Sequence, residues 1–123
     1  MRSVNKFLAG RSAEEEAVRY LQSQGYKILA RNVRAKFGEI DVVARDGPTL
    51  CFIEIKARSS TRFGFPEEAV TFQKRFRLIR LARWYLQKAG SPSVPVRFDV
   101  LSLLSGPDGG PGRTRLIKGA FEV

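Results

Sequence analysis

Residues 39–57 of the chain read EIDVVARDGPTLCFIEIKA, and this stretch determines the fold that the sequence predicts. Two runs rich in β-branched and aliphatic residues, Glu39–Arg45 and Leu50–Ala57, flank the tripeptide Asp46-Gly47-Pro48. Runs of this kind around a turn sequence predict two strands joined in a β-hairpin. If the turn is centred between Gly47 and Pro48, the residue numbers of the two partners in every antiparallel pair add up to the same value.

This register brings four polar side chains together. Asp41 is opposite Glu54, and Glu39 is opposite Lys56. Because side chains alternate between the faces of a sheet, all four are expected on one face. The other face carries aliphatic residues that we expect in the core, namely Ile40, Val42, Ile53 and Ile55.

The opposed carboxylates indicate a site for a cation. Asp41 and Glu54 repel each other unless one is protonated or a cation lies between them. A hard divalent ion such as Mg²⁺ or Mn²⁺ suits oxygen ligands of this kind. Lys56 is within reach of the same position, where it could neutralise a phosphate oxygen or orient water. The alternative is a solvated polar face with an ion pair between Glu39 and Lys56.

One helix is predicted before the hairpin and one after it. Apolar residues at helical spacing predict a first helix over Ser12–Gln24, and a short strand over Tyr26–Leu29 follows it. Pro66, at the first helical position, begins a long second helix that spans Glu67–Ala89 and stops at Gly90.

The C-terminal part predicts two more strands, Val96–Leu103 and Leu116–Val123, joined by the glycine-rich connection Gly106–Gly112. The resulting order is α-β-β-β-α-β-β. That order predicts an α/β fold, a mixed β-sheet flanked by helices, and the length of the chain indicates a single domain over residues 1–123.

The first predicted helix supplies another carboxylate. Glu14 lies at helical spacing from Ala17, Val18 and Leu21, so its side chain points with the apolar stripe toward the sheet. A glutamate in that position needs a metal, a water molecule or a cation as partner. Alternatively, Glu14 extends from the edge of the stripe into solvent.

The second predicted helix is strongly basic, and a loop with Arg58 and Arg62 beside aromatic residues precedes it. Its expected buried face consists of Phe72, Phe76, Ile79 and Leu86. Basic residues beside aromatic ones, directly downstream of Lys56, suit a phosphodiester backbone. We therefore predict nucleic-acid contacts from Arg58, Arg62, Lys74, Arg77 and Arg80, with a solvated charged face as the alternative.

Composition narrows the function classes. The 22 Lys and Arg residues exceed the 12 Asp and Glu residues, and the net charge of +10 favours a polyanionic partner, or a membrane surface, over a small neutral substrate. The alternative is a solvated basic surface that serves solubility. The absence of histidine excludes Ser-His-Asp catalysis and His-ligated zinc. Cys51 is the only cysteine, is expected inside a strand and cannot form an intrachain disulfide. Without a predicted membrane span or secretory signal, we expect a cytoplasmic protein.

The motifs of this chain resemble those of a nuclease superfamily and of one bacterial protein family. Asp41 followed by Glu54-Ile55-Lys56 resembles the Asp…Glu-x-Lys core of the PD-(D/E)xK, or restriction-endonuclease-like, nuclease superfamily. Several segments are similar to the YraN-type family, a widespread bacterial group related to Holliday-junction resolvases. These segments, which cover nearly the whole chain in the order of the family, include Gly38–Asp41, Phe52–Arg58, Gly64–Val70 and Arg97–Val100.

The resemblance implies a restriction-endonuclease-like, resolvase-like fold. It implies Glu14, Asp41 and Glu54 as acidic residues of a metal site, the carbonyl of Ile55 as a further ligand and Lys56 as the catalytic lysine. The chain departs from the pattern at two positions: Ile40 replaces the proline in the superfamily name, and Ala13 replaces a glycine usual in the family.

The sequence thus predicts a nuclease that hydrolyses phosphodiester bonds in DNA with Mg²⁺ or Mn²⁺. A non-catalytic nucleic-acid-binding module on the same fold is one alternative. A protein of assembly or interaction, for which the charge would be incidental, is another. Homodimerisation is left open.

Overall fold

A five-stranded mixed sheet carries one helix on each face, which confirms the predicted α/β class and element order. The computed structural model describes residues 2–58, 71–90, 92–105 and 112–121, with only the backbone of residues 2–12. In chain order the elements are α1(Arg2–Ser23), β1(Lys27–Ala35), β2(Gly38–Asp46), β3(Thr49–Arg58), α2(Phe72–Lys88), β4(Val96–Leu104) and β5(Arg113–Phe121).

The strands lie in the order β1-β2-β3-β4-β5. Strands β3 and β4 are parallel, and α2 lies between them in the chain, whereas all other neighbouring strands are antiparallel. The hairpin between β2 and β3 has the predicted register, since Val42 pairs with Ile53 and Asp46 with Thr49. Gly47, with φ 61°, occupies the first position of the two-residue loop, where such hairpins need a positive φ.

Each helix buries an apolar stripe against its own face of the sheet. Residues of α1 pack with Val42, Cys51 and Ile53, which confirms that the cysteine is buried in a strand. The members contributed by α1 are Ala17, Val18 and Leu21. Residues of α2 pack with Val43 and Phe52 on the opposite face, and they are Leu78, Leu81 and Ala82.

Three predicted boundaries of helices and strands were wrong by five residues or more. Helix α1 begins at Arg2 rather than Ser12, and β1 continues to Ala35 instead of ending at Leu29. Helix α2 begins at Phe72 rather than Glu67. The reason is local: Thr71 is extended, and its hydroxyl accepts a hydrogen bond from the backbone N–H of Lys74, so it caps the helix.

Other predictions concern chain ends and loops. The end of α2 was predicted correctly, since Gly90 follows it with φ 88°. Strand β5 begins at Arg113, three residues before the predicted Leu116. The predicted signals at Pro66 and Glu67 lie outside the described residues, as do most of the connection 106–112 and the last residues of the chain.

The predicted buried face of α2 was partly wrong. Phe72 and Phe76 are 72% and 60% exposed, and Leu78, Leu81 and Ala82 take the buried positions instead. These three residues have spacings of three and one, as one side of a helix requires. Ile79 and Leu86 are half-buried against the same core. Neither helix, within the part of the chain that is described, is long and apolar enough to cross a membrane.

Candidate active site

The site lies where β2 separates from β3. Backbone pairing of these strands ends with Val42 and Ile53. Two residues farther along β3, the backbone N–H of Ile55 donates a hydrogen bond of 2.8 Å to Oδ2 of Asp41. A side chain thus takes the place of a main-chain acceptor, and the two strands diverge around it.

Near this opening, the alternation of side chains between the two faces of the sheet breaks in β1 and in β2. Arg31 pairs with Val42 and Val33 pairs with Ile40, so Asn32 lies between these pairs, across from Asp41. Asn32 has φ 51°, a left-handed conformation that asparagine tolerates better than most residues.

This kink overturns one prediction. Ile40 and Val42 should share a face by alternation, yet Val42 packs with α1 and Ile40 packs with α2. The prediction that Ile40 and Val42 lie on the same face of the sheet is therefore wrong. The alternation of β2 breaks at Asp41, and this break positions the aspartate between the two faces.

Asp41, Glu54 and Lys56 line one cavity on the α2 side, of about 250 Å³. Nζ of Lys56 lies 2.9 Å from Oε1 of Glu54, and the two side chains are only 21% and 19% exposed. Glu39 also lines the cavity, but it forms an ion pair with Arg34, in which Nε lies 3.8 Å from Oε2 of the glutamate. The lysine therefore pairs with Glu54, and the alternative ion pair with Glu39 is not formed.

The pKa values of Asp41 and Lys56 are shifted because charged groups lie close together in the cavity. Burial and the charge of Glu54 raise the pKa of Asp41 to about 7, although the N–H of Ile55 and the charge of Lys56 act in the opposite direction. Burial lowers the pKa of Lys56, but its hydrogen bond to Glu54 and the charge of that residue outweigh this and raise it overall. Lys56 therefore stays charged beside a carboxyl group that titrates near neutrality.

Glu14 lies on the other side of Asp41. A second cavity, of about 180 Å³, is lined by Glu14, Asp41 and Ile55 together with two alanines. Oε1 of Glu14 accepts hydrogen bonds from Arg31 at 2.9 Å and from Asn32 at 2.7 Å. Arg31 also contacts Glu15 at 2.8 Å. Glu14 therefore has partners of its own, as the sequence analysis required of a glutamate on this stripe.

The residues that hold Glu14 were missed by the sequence analysis. Asn32 followed by Val33 in a run otherwise typical of a strand is a weak signal for a left-handed kink. Arg31 gave no signal, since 16 to 17 residues separate it from the two glutamates. Across the described ranges, no group of three or more Asp, Glu, Cys or His residues is arranged to hold a metal ion. Within these ranges three carboxylates, those of Glu39, Asp41 and Glu54, line one cavity with Lys56, and Asp41 and Glu54 are the two that interact with the lysine.

The predicted nucleic-acid-binding residues divide into three groups. Lys74 and Arg77 line the cavity of Asp41, and the charge of Lys56 lowers the pKa of Lys74. Arg58 is exposed at the end of β3, and Arg62 lies outside the described residues. Arg80 does not line this cavity; its guanidinium lies 4.3 Å from the ring centroid of Phe37.

Close contact between α2 and the start of β2 holds Lys74 and Arg77 beside the cavity. A Cβ atom on Gly38 would lie 3.1 Å from Cδ1 of Leu81 and 3.2 Å from Cδ of Arg77. Such distances are shorter than ordinary contacts, so a side chain at Gly38 would require the side chains of Leu81 and Arg77 to shift by a few tenths of an ångström.

A second charged cluster lies at the hairpin end of the sheet, and sequence reasoning did not find it. Asp99 is fully buried, and its carboxylate accepts hydrogen bonds from Tyr26, from Arg97 and from the backbone N–H of Gly119. Arg97 also donates to Asp46 at 2.8 Å. Every carboxylate oxygen of Asp99 is satisfied, so this cluster stabilises the junction of β1, β2, β4 and β5.

Comparison with known proteins identifies the family. The model of the uncharacterised protein family UPF0102 matches residues 13–103. A UPF0102 protein of Symbiobacterium thermophilum is 50% identical over 114 residues, which are 93% of this chain and 96% of the relative. One of Lachnoclostridium phytofermentans is 47% identical over 121 residues, 98% of both chains. One of Caldicellulosiruptor saccharolyticus is 41% identical over 118 residues, 96% of this chain and all of the relative. The chain belongs to the UPF0102 family, as its resemblance to the YraN-type group indicated.

Proposed function

We propose that this protein is a metal-dependent nuclease that hydrolyses phosphodiester bonds in DNA. The observation that supports the proposal is the shared cavity of Asp41, Glu54 and Lys56, next to which Lys74 and Arg77 add two positive charges. Paired carboxylates beside a lysine can hold a divalent cation and a phosphate at adjacent positions. The net charge of +10 favours a polyanionic substrate.

The donor set fits Mg²⁺ or Mn²⁺. Magnesium is typically bound by one or two protein carboxylates, with water and substrate phosphate as its other ligands, so a cluster of three acidic residues is not required. Asp41 and Glu54 would hold the ion, and the carbonyl of Ile55 is on the same edge of β3 as the N–H that contacts Asp41. When bound, the ion would supply Lewis acidity toward the phosphodiester and make water more acidic.

The protein residues have separate tasks in this proposal. Lys56, held by Glu54 and buried to about four-fifths, would stabilise negative charge on the phosphate during in-line attack. Lys74 and Arg77 would bind the neighbouring phosphates. Glu14 contacts Arg31 and Asn32 and would act by fixing the kink across from Asp41, or as an additional acidic residue once a cation is bound.

The test is cleavage of labelled DNA by purified protein with Mg²⁺, with Mn²⁺ and with a chelator. Branched, single-stranded and duplex substrates should be compared. The Asp41→Asn variant should lose activity by orders of magnitude, and Glu16→Gln, which changes an exposed glutamate of α1, is the matched control.

The outcome separates three functions. Metal-dependent cleavage that Asp41→Asn removes supports the nuclease. Salt-sensitive DNA binding without cleavage under any metal indicates a non-catalytic binding module. Failure to bind any nucleic acid at low salt indicates an assembly or interaction role.

A further inference from the structure

We propose that a groove along α2 binds a single-stranded segment of nucleic acid next to the carboxylate cavity. This proposal rests on the proposed function in one respect: it takes the bound segment to be part of the nuclease substrate. Binding to the groove itself needs neither metal nor cleavage. We call this surface the α2 track and define it by the residues that line two adjoining cavities.

The α2 track consists of two cavities that share a residue. The first measures about 460 Å³ and is lined by Phe37, Phe76, Arg77, Ile79, Arg80 and Arg83. The second measures about 570 Å³ and is lined by Arg34, Ala35, Lys36, Phe37, Trp84 and Lys88.

Shared residues make the surface continuous. Phe37, in the turn between β1 and β2, belongs to both cavities of the track. Arg77 belongs to the first of them and also lines the cavity of Asp41 and Glu54. A chain that lies along α2 therefore leads directly to the carboxylates.

The chemistry of the track matches a polymer that has both anionic groups and flat aromatic faces. Six of its residues are Arg or Lys, three are aromatic, and none of the described residues that line it is acidic. Proteins that bind single strands combine a positively charged groove with aromatic side chains on which bases stack. A lipid headgroup or an acidic peptide segment would use the charges but leave the rings without partners.

The aromatic rings are held where a base could reach them. Phe76 is 60% exposed, and the ring of Phe72 contacts it edge-to-face with a centroid distance of 4.8 Å. Arg80 lies over Phe37, and Lys88 lies 4.7 Å from the ring of Trp84, so a base at these two half-buried rings would stack on the cation or take its place. Exposure of a large aromatic ring is unfavourable in water, and a binding role accounts for it here.

An unpaired strand fits this surface better than a duplex does. In a duplex the faces of the bases are stacked on each other inside the helix, and they cannot reach Phe76 or Trp84 without being flipped out. A substrate with a single-stranded stretch beside the cleaved bond could occupy the track and the cavity together. The inference therefore narrows the substrate class to branched, flapped or otherwise partly unpaired nucleic acid.

The decisive experiment uses the intrinsic fluorescence of Trp84, which is the only tryptophan in the chain. Metal-free wild-type protein is titrated at low salt with an oligothymidylate of about 16 nucleotides, near the upper site size for such grooves. A sugar-phosphate oligomer of equal length without bases, and a duplex, serve as comparison ligands. We expect the base-containing single strand to quench the tryptophan and to bind more tightly than both.

Variants identify which part of the track contributes. Phe76→Ala should weaken binding of oligothymidylate by about 5- to 100-fold, the range measured for loss of one stacked base, and leave binding of the abasic oligomer nearly unchanged. Leu29→Ala, which truncates an exposed apolar residue of β1, is the matched control. Trp84→Phe should abolish the fluorescence signal while binding, followed by anisotropy of a labelled oligomer, persists.

Three results would overturn the inference: equal affinity for the abasic and the base-containing strand, preference for the duplex, or unchanged tryptophan fluorescence at saturation. If Phe76→Ala instead abolishes a concentration-dependent dimer and no base-dependent binding is seen, the track is an interface between two copies. The proposed nuclease function fails separately, because it is contradicted by lack of metal-dependent cleavage even when the track binds single strands.

Discussion

Asp41 accepts a hydrogen bond from the backbone of Ile55, and this contact ends the pairing of β2 with β3. The aspartate replaces a main-chain carbonyl as acceptor, so its carboxylate is fixed at the point where the strands diverge. Because Glu54 directly precedes Ile55, the same contact holds the two carboxylates on opposite sides of one gap.

The Asp41→Asn variant should change the pH dependence of unfolding. The pKa of Asp41 rises from 3.8 to about 7 on folding, so the folded state binds the extra proton between these values. Relative to Asp41→Asn, wild-type stability should fall as pH rises through that window, and the loss should be complete above it. At pH 8 Asn should therefore be more stable than Asp by roughly 4 kcal/mol, from about 3 pKa units at about 1.4 kcal/mol each.

At pH 3 the same two proteins should be equally stable, since Asp41 is then protonated in both states. Chemical denaturation of the metal-free proteins across pH gives the measurement. Glu16→Gln, at an exposed position, is the control and should show no such trend. A stability difference between wild type and Asp41→Asn that does not vary with pH would contradict the prediction.

Divalent cations should stabilise the wild type. In the proposed function Mg²⁺ or Mn²⁺ would bind the folded state, and an ion concentration of 100 times its dissociation constant would then add about 2.7 kcal/mol. Thermal unfolding at millimolar ion concentration should show a raised midpoint for the wild type and a much smaller rise for Asp41→Asn. If neither ion shifts the wild-type midpoint, the metal site is not present.

Lys56→Ala should separate metal binding from phosphate stabilisation. The variant removes the cation that lies 2.9 Å from Glu54 but keeps both carboxylates. We expect cleavage to fall about 10²- to 10³-fold, as for loss of one group that stabilises transition-state charge. The Mg²⁺-dependent rise in unfolding midpoint should remain. Lys27→Ala, at an exposed position of β1, should retain full activity.

Arg77→Ala should reduce the salt dependence of binding. Arg77 lines both the carboxylate cavity and the α2 track, so it is placed to contact a phosphate. Each phosphate contact contributes about 0.9 to the slope of log K against log salt on duplex DNA and about 0.7 on single strands. The variant should lose about one such unit without changing sequence preference, whereas Arg45→Ala, an exposed arginine of β2, should not.

The buried cluster at the hairpin end should matter for stability and not for chemistry. Asp99→Ala leaves Tyr26 and the backbone N–H of Gly119 without this acceptor and Arg97 with Asp46 alone, at a typical cost of about 1–3 kcal/mol for each buried group left unpaired. Tyr26→Phe removes one donor to the same carboxylate and should cost about 1–3 kcal/mol. Variants that remain folded should keep the wild-type response to Mg²⁺, and loss of that response in folded Tyr26→Phe would show that the cluster reaches the site.

The hairpin that carries the carboxylates was predictable because its information is local. Gly47 fixes a two-residue loop, the loop fixes the register, and the register places Asp41 across from Glu54. The face of Ile40 was not predictable, because it depends on the left-handed Asn32 in another strand.

The buried face of α2 could not be predicted from the apolar pattern alone. Two apolar stripes are available on it, and the one with phenylalanines, Phe72 and Phe76, is the more hydrophobic in sequence yet faces solvent. Leu81, on the buried side, packs close to Gly38 of β2, and a contact of this kind depends on the tertiary packing of the helix on the sheet. The contact of Tyr26 with Asp99 spans 73 residues and leaves no local signal.

The Asp41–Ile55 contact joins residues only 14 positions apart, and it therefore has a consequence for the kinetics of folding. Local hairpins close within microseconds, well before distant elements pack. The electrostatic repulsion of Asp41 and Glu54 is thus present in an early-forming unit, before α2 has brought its lysine and arginine alongside. Mildly acidic solution or a divalent cation should then speed up refolding as well as slow unfolding, so that the ligand of the finished site also assists the chain in reaching it.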